Sequence, residues 1–307
     1  MRLLRIASVA VWCSGMVLVT AAQSHAQIVN PATQQPSPAE NAAKPTDSHH
    51  TWEMPPVDVI GKAPLVEEER IGDYAQPRWT THRRFGETRV YVIPRGMTDF
   101  EYWLIPETPK DGHGATDFKT QYEVEFGLPG RLQLDLYAVG HKEGTTDAGF
   151  SISEQKVELR WALADWGKIF GNPTLYAEWN QISNAPDHLE FKLLLGGQIT
   201  SRWHWGSNLV WEHEIAGPRE NSNEWTTGVS YSVRDSRLGF GVETQLALVN
   251  SIEEGTNARG PFEKQLYVGP SLQFRPLPQL HIDFAPLIGV TGDASRAKTF
   301  VVLGWEF

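Results

Sequence analysis

The chain has 307 residues, a formal net charge of −10 and a mean hydropathy of −0.36. Its single cysteine is Cys13, so disulfides, zinc–thiolate sites and thiol catalysis are excluded for the sequence after residue 26. The acidic balance argues against nucleic acid as a partner, because phosphate binding requires a basic surface. After residue 26, no run approaches the about 20 apolar residues that a membrane-spanning helix needs.

Residues 1–26 have the layout of a secretory signal peptide. Arg2 and Arg5 precede an apolar run, and Ser24-His25-Ala26 forms a small-residue cleavage site before Gln27. Removal of the two arginines with this peptide changes the net charge from −10 to −12. We therefore predict an exported protein whose mature chain begins at Gln27.

Residues 27–84 differ in composition from the sequence that follows. Six prolines lie between residues 31 and 56 among Gln, Ala, Ser and Thr, which is typical of a linker. The β-like patch at residues 57–61 resembles the energy-coupling box of TonB-dependent receptors, but this chain has no room for their plug domain and about 22 strands. We predict a largely disordered periplasmic tail over 27–84, partly tucked against the mouth of a barrel.

From about residue 98, apolar and polar residues alternate with the period of two that is typical of β-strands. Short connections alternate with longer polar ones, as expected for outer-membrane barrels with short periplasmic turns and long extracellular loops. Pro270 and Pro286 fall within strands and cannot donate to a ladder, so we expect bulges there. Twelve strands are predicted, over 98–107, 117–128, 131–141, 150–163, 173–183, 188–200, 202–215, 223–233, 237–250, 264–275, 279–290 and 297–307.

The parity of the charged residues predicts which face of each strand points inward. One face is apolar, while the other carries nearly all the acids, a segregation that lipid outside and polar contents inside would produce. The residues that we expect to line the lumen are Glu101, Glu123, Glu125, Asp135, Glu158, Arg160, Glu178, Glu190, Lys192, Glu212, Glu214, Glu243 and Asp283.

The sequence ends with the alternating strand FVVLGWEF, which has Leu303, Trp305 and Phe307 on one face. This ending resembles the C-terminal signal of bacterial outer-membrane β-barrel proteins, and that resemblance implies recognition by the barrel-assembly machinery. We predict an all-β, transmembrane, antiparallel up-and-down barrel of about twelve strands over residues 85–307. The expected location is the outer membrane of a Gram-negative bacterium, with the N-terminal tail in the periplasm.

Two further stretches resemble segments of envelope proteins. Residues Gln121–Tyr137, QYEVEFGLPGRLQLDLY, resemble a hairpin of small outer-membrane transporters or channels found alongside aromatic-compound degradation pathways. Residues Arg70–Ile93 resemble a module of bacterial envelope proteins that carries no known activity. The first resemblance implies transport, and the second adds no function.

The predicted function is passive passage of small solutes through an outer-membrane channel whose acidic lumen disfavours anions. A non-conducting structural or binding barrel is the alternative, because acids and bases could form a salt-bridge lattice that fills the lumen. A membrane-embedded hydrolase is a third hypothesis, with His213 near Ser207 and Asn208, or His281 beside Asp283, as candidate groups. We predict no enzyme activity, cofactor or metal site. The expected partners are outer-membrane lipid, the assembly machinery and a periplasmic protein that contacts the tail.

Overall fold

Twelve long antiparallel strands form most of the protein, and their bounds lie within two residues of the prediction. The computed structural model describes residues 63–110, 114–142, 144, 151–253 and 257–307. Two-residue strands β1 (Arg70–Ile71) and β2 (Gln76–Pro77) pair with each other ahead of the twelve. The twelve are β3 (Thr98–Thr108), β4 (Asp117–Leu128), β5 (Leu132–Lys142), β6 (Ser151–Ala162), β7 (Thr174–Ile182), β8 (His188–Gln198), β9 (Trp203–Glu214), β10 (Asn221–Arg234), β11 (Leu238–Asn250), β12 (Glu263–Phe274), β13 (Leu280–Gly289) and β14 (Ala297–Glu306).

The twelve strands close into a barrel in sequence order. Each strand pairs with its neighbours in the chain, and β14 returns to pair with β3, with Leu303 opposite Tyr102 and Trp305 opposite Phe100. Closure gives every strand two partners, so the sheet has no exposed edge. The predicted fold class is confirmed. No helix among the described residues has the length and apolarity needed to cross a membrane.

Side chains alternate between the two faces of the barrel wall. The outward face carries large apolar side chains that are substantially exposed, such as Leu209 and Phe240. Aromatic pairs also lie on this face, including Trp203 with Tyr231, whose ring centroids are 5.0 Å apart. The inward face carries buried charged and polar side chains. This is the pattern of a barrel with lipid outside and polar contents inside.

Pro270 on β12 and Pro286 on β13 interrupt the ladder without shifting its register. The pairs Val268↔Ile288 and Leu272↔Phe284 have the same register, which places the two prolines opposite each other in the unpaired stretch between them. Neither proline has an N–H to donate, so one seam contains both missing hydrogen bonds. The expectation of bulges at these prolines was therefore wrong. The register shifts lie instead between β5 and β6, where β6 has an extra residue at Ser153, and between β10 and β11, where β10 has an extra residue at Val233.

Residues 63–97, which we call the inner segment, precede the barrel strands. Most of residues 76–94 are buried inside the barrel, whereas most of residues 63–75 are exposed. Trp79 is 0% exposed and lies edge-on to Trp166, at a ring-centroid distance of 5.5 Å. The segment includes two short 3₁₀-helices, over Val66–Glu68 and Arg78–Thr81. The structure thus differs from the predicted tail over residues 76–84, which are mostly buried inside the barrel. Residues ahead of them contact the short turns at the barrel mouth, where the Val66 N–H donates to Asp235 and the Tyr74 hydroxyl donates to the Leu128 carbonyl oxygen. The buried aromatic and arginine side chains explain the difference, since each finds a partner inside the barrel.

The connection between β6 and β7 packs against the inner segment. Trp166 donates its backbone N–H to the Tyr74 carbonyl oxygen at 3.0 Å, and the Tyr91 hydroxyl donates to the Ala164 carbonyl oxygen at 2.6 Å. This connection is longer than the other turns at its end of the barrel. The extra residues of this connection cover the inner segment, and this contact explains why the connection is longer than a typical periplasmic turn.

Three inward glycines on adjacent strands form a groove for the inner segment. Gly196 on β8 is paired with Gly206 on β9, which is paired with Gly228 on β10, so the glycine row crosses three strands at one level. A Cβ atom on Gly228 would meet the ring of Phe85. Because these positions have no side chains, the segment can lie directly against the wall.

Candidate functional site

The structure places all thirteen predicted lumen residues on the inward-facing side of the strands. Ten of them are buried: Glu101, Glu123, Glu125, Asp135, Glu158, Arg160, Glu178, Glu214, Glu243 and Asp283. Three are half-buried: Glu190, Lys192 and Glu212. They divide between two levels of the barrel. One level contacts the inner segment at the end with the short turns, and the other surrounds a cavity towards the end with the long connections.

Two arginines of the inner segment lie among three glutamates of β3 and β4. Arg83 forms an ion pair with Glu101, with its Nε 3.2 Å from Oε1. Arg89 Nη2 lies 2.9 Å from Glu123 Oε1 and 3.2 Å from Glu125 Oε1. A carboxylate this deeply buried requires a charge partner, because desolvation of an unpaired ion costs several kcal/mol. The arginines supply those partners.

Aromatic rings and further ion pairs complete this lower level. The guanidinium of Arg83 lies 3.9 Å from the ring centroid of Trp103, whose Nε1–H donates to Glu123 Oε2 at 2.9 Å. Arg84 pairs with Glu67 at 2.8 Å, and both belong to the inner segment. On the wall, Arg160 Nη2 lies 3.1 Å from Asp135 Oδ2. This level is a dense lattice of alternating charges.

Wall side chains also bind the main chain of the inner segment. The Glu243 carboxylate accepts from the backbone N–H groups of Gly86, Glu87 and Thr88, at 2.7, 3.1 and 2.8 Å. Asn208 accepts from the Arg89 N–H and donates to the Arg89 carbonyl oxygen, both at 2.7 Å. Both wall side chains therefore hold the main chain of residues 86–89.

Sequence reasoning did not identify the arginines of the inner segment as lumen residues. Arg83 and Arg84 fell in the predicted tail, and Arg89 lay before the first predicted strand. A signal was present, however, because the inward face has far more acids than bases. Buried acids need cations, and the paired Arg83-Arg84 together with Arg89 were the nearest unassigned source along the chain.

A cavity of about 630 Å³, which we call the vestibule, lies above this lattice towards the long connections. Among the described residues, nine acids and six lysine or arginine side chains line it, together with His141 and His188. The acids are Glu87, Glu107, Asp117, Glu154, Glu158, Glu178, Glu190, Glu212 and Glu224, and the bases are Arg89, Lys119, Lys142, Lys156, Lys192 and Lys298. The described lining of the vestibule is therefore polar and rich in ionisable side chains.

Ion pairs extend along the vestibule wall. Lys156 Nζ lies 3.0 Å from Glu178 Oε1, and Lys192 Nζ lies 2.8 Å from Glu190 Oε1. Lys298 Nζ lies 3.3 Å from Oε1 of Glu87, which the inner segment contributes to the vestibule floor. Burial alone would raise the pKa of Glu87, but the ammonium groups of Lys298 and Lys192 outweigh burial and lower that pKa from 4.5 to about 2.

In the part of the chain that the structure describes, three groups of side chains have potential metal-ligating atoms within 4.8 Å of one another. The groups are Asp99 with Glu101 and His281, Glu101 with Glu123 and Glu125, and Glu123 with Asp135 and Glu158. In each group, arginine already contacts at least one carboxylate, through Arg83, Arg89 or Arg160. The donor sets therefore serve the charge lattice, and we assign no metal to them.

The candidate hydrolase residues lie in separate settings. His213 hydrogen-bonds through Nδ1 to the Asn221 amide, and its ring stacks on Trp211. Ser207 accepts from Trp225 Nε1–H at 2.8 Å, while Asn208 binds the inner segment. On the inward face, His281 Nδ1 lies 2.6 Å from Asp283 Oδ2 within the buried lattice. The structure does not bring His213, Ser207 and Asn208 together into a triad.

The C-terminal residues lie on the outward face and in the closing seam. Leu303, Trp305 and Phe307 are all exposed on the outside of the barrel. The Phe307 N–H donates to the Thr98 carbonyl oxygen at 2.9 Å, so the last residue hydrogen-bonds to the start of β3. Their role as an assembly signal stays a prediction.

Comparison with solved structures finds bacterial outer-membrane barrels, whereas no protein-family model and no curated protein matches the sequence. An outer membrane channel from Pseudomonas putida F1 matches with a TM-score of 0.52 and 11% identity, over 74% of this chain and 100% of that chain. The NanC porin matches with a TM-score of 0.46 and 14% identity, over 68% of this chain and 98% of that chain. At these identities the likeness concerns the fold, and it is the fold of a bacterial outer-membrane β-barrel.

Proposed function

We propose that this outer-membrane β-barrel passes small solutes passively and disfavours anions. The single observation that carries the proposal is the vestibule, a polar cavity of about 630 Å³ in the barrel interior. An interior that served only as a structural core would be filled by side chains, as in the smallest barrels. Here the upper part of the interior has room for a small hydrated solute.

The charge of the vestibule supports the preference against anions. Within its described lining, nine acids against six lysine or arginine side chains favour a negative excess. Low-dielectric walls concentrate the field of such an excess, which raises the local concentration of cations and lowers that of anions. The acids near the long connections, such as Asp117 and Glu212, would act first on an entering solute.

The orientation follows from the lengths of the connections. In outer-membrane barrels the short turns face the periplasm and the long loops face the exterior. We therefore place the vestibule at the extracellular side and the inner segment at the periplasmic side. Residues 27–62, which precede the described part of the chain, would then lie in the periplasm, as the sequence predicts.

A non-conducting barrel is the second candidate, and the filled lower level favours it. Around the inner segment, the remaining cavities near Arg83 and Arg84 have volumes of only about 30 and 20 Å³. A space of that size holds a water molecule or two rather than a solute path. In this alternative the vestibule would be a binding recess that is closed at its floor.

Single-channel recording in planar bilayers under a salt gradient separates the two candidates. We expect discrete conductance steps with a cation-selective reversal potential. The double variant Glu154→Gln/Glu212→Gln should reduce cation selectivity, because it removes two negative charges from the vestibule. The matched variant Lys192→Gln should increase it. If a folded, heat-modifiable barrel gave no conductance steps, that result would contradict the channel and favour the binding recess.

A further inference from the structure

The inner segment is attached to the wall in a way that differs from the strands. From Arg84 to Ile93, no backbone-to-backbone hydrogen bond joins the segment to the barrel in the described part of the chain. Such bonds occur only near its ends, at Tyr74 with Trp166 and at Gly96 and Met97 with Gly127. The middle of the segment can therefore move without breaking a single hydrogen bond of the barrel ladder.

Side chains from four wall strands hold this middle stretch by its main chain. Gln273 on β12 donates to the Arg84 carbonyl oxygen, and Glu243 on β11 accepts from three consecutive N–H groups. Asn208 on β9 makes its two bonds to Arg89, and Gln133 on β5 accepts from the Ile93 N–H at 2.7 Å. Hydrogen bonds to the main chain of a peptide, together with recesses for its side chains, are the general design of a peptide-binding groove.

The side chains of the segment fill complementary features of the wall. The Phe85 ring lies in the glycine row at Gly228, and Val90 packs against Gly196. Arg89 inserts among the glutamates of β3 and β4. The wall thus provides main-chain contacts, a recess for an aromatic ring and an acidic socket for a guanidinium.

We propose that the lumen wall is a binding surface for a peptide with a bend in its main chain, occupied reversibly by the chain's own residues Arg84–Ile93, and that their departure opens the lumen. Departure would remove the Arg89 side chain and the Phe85 ring from the lower level and join the vestibule to the opposite end. The binding surface stands independently of transport, whereas the effect on conductance rests on the proposed function.

Thiol accessibility tests whether the occupant leaves. The mature chain predicted to begin at Gln27 has no cysteine, so all labelling comes from the one thiol that is introduced. Thr88 is buried, and its Oγ1 lies 2.9 Å from Thr226 Oγ1 on β10. In a folded Thr88→Cys variant, we expect slow labelling by a water-soluble maleimide. A Ser183→Cys variant, at an exposed position, should react at once and gives the reference rate.

Weakening the surface should accelerate that labelling. In the Thr88→Cys background, Glu243→Gln removes a charged acceptor of three N–H groups, so we expect labelling to be at least about tenfold faster. Glu178→Gln is the matched control, because it neutralises a buried inward carboxylate that makes no hydrogen bond to the segment. Equal rates in the two variants, or a thiol that never reacts in either, would overturn the reversible occupancy.

A disulfide lock tests the opening. In the Thr88→Cys/Thr226→Cys variant, oxidation should tie the segment to β10 and abolish the conductance steps, and reduction should restore them. Unchanged steps in the locked protein would overturn the opening while leaving the channel intact. If the unmodified, locked and reduced proteins all lack conductance steps, both the opening and the proposed function are overturned. The labelling rates would still decide whether the peptide-binding surface exists.

Discussion

Single buried arginines connect the inner segment to the barrel wall. Arg83 and Glu101 are both almost completely buried, so each compensates a charge that water cannot reach. In contrast, Arg78 and Glu69 of the same segment also form an ion pair, but their side chains are 38% and 57% exposed. Water screens the second pair and not the first, so the two pairs should differ greatly in their effect on stability.

Arg83→Met should therefore lower the free energy of unfolding by about 3–5 kcal/mol, because it leaves buried carboxylates without their cation. Arg78→Met should change it by less than about 1 kcal/mol. Urea titration followed by tryptophan fluorescence, with heat-modifiability on gels as the assay of the folded barrel, measures both. A double variant Arg83→Met/Glu101→Gln should regain part of the loss. Equal effects of the two single variants would show that the buried ion pair of Arg83 stabilises the protein no more than the exposed pair of Arg78.

The inner segment and the glycine row depend on each other as elements of the fold. A strand that faces only water in its lumen would gain nothing from inward glycines, which cost conformational entropy and leave no side chain to pack. Here Gly196, Gly206 and Gly228 lie at one level, and the inner segment occupies the space that their missing side chains leave.

Gly228→Leu should expel the segment while the barrel stays closed. The new side chain would overlap the Phe85 ring, whereas the ladder bonds of β10 are made by the backbone and would persist. The buried Arg83 and Arg84 should then become sites of limited trypsin cleavage in a barrel that remains heat-modifiable. Gly292→Leu is the matched control, since a Cβ atom there meets no atom within 4 Å. Protection of both arginines in the Gly228→Leu variant would contradict the assigned fit.

The strands could be predicted from the sequence, but the inner segment could not. Alternate residues of a barrel strand face lipid and lumen, so their polarity alternates, and this period of two is sufficient to locate β3–β14 in the sequence. Residues 63–97 have no such period, because their contacts come from several directions around the lumen. The proline-rich composition of residues 31–56 was also extended too far, to residue 84. A proline considered by itself predicts a bulge. Pro270 and Pro286 need none, because they lie opposite each other across β12 and β13, and their pairing cannot be seen in the sequence.

The candidate site was predictable in part for the same reason. Parity gave the inward position of acids such as Glu123 and Glu243, since it follows from the strand itself. Their partners lie in the inner segment at sequence separations of 34 residues for Arg89 and 155 residues for Thr88. Contacts at such separations follow from the closed fold and leave no local pattern in the sequence.

For the molecule as a whole, the outward face determines how the barrel is held in a bilayer. Leu209 lies near the middle of β9 and is 52% exposed, with Leu193 and Trp225 as its partners on the neighbouring strands. Ile215 is similarly exposed, just beyond the end of the same strand. The two positions differ in their expected depth, and a charge costs most at the bilayer midplane.

Leu209→Arg should destabilise the folded protein in lipid vesicles by about 2–4 kcal/mol, whereas Ile215→Arg should cost about 0–1 kcal/mol. Reversible unfolding in vesicles, followed by tryptophan fluorescence, measures the difference. If both substitutions had the same small effect, the middle of β9 would not lie in the hydrocarbon region. That result would contradict the assignment of the outward face to lipid.

The position of the inner segment in the chain has a consequence for the order of folding. The segment is synthesised before every strand of the barrel, yet Asn208, Glu243 and Gln273 follow the residues they hold by 119, 155 and 189 positions. Closing loops of that length is entropically costly and slow. The inner segment, although synthesised first, can therefore form these contacts only after β9, β11 and β12 have folded, which makes it one of the last parts of the domain to reach its final position.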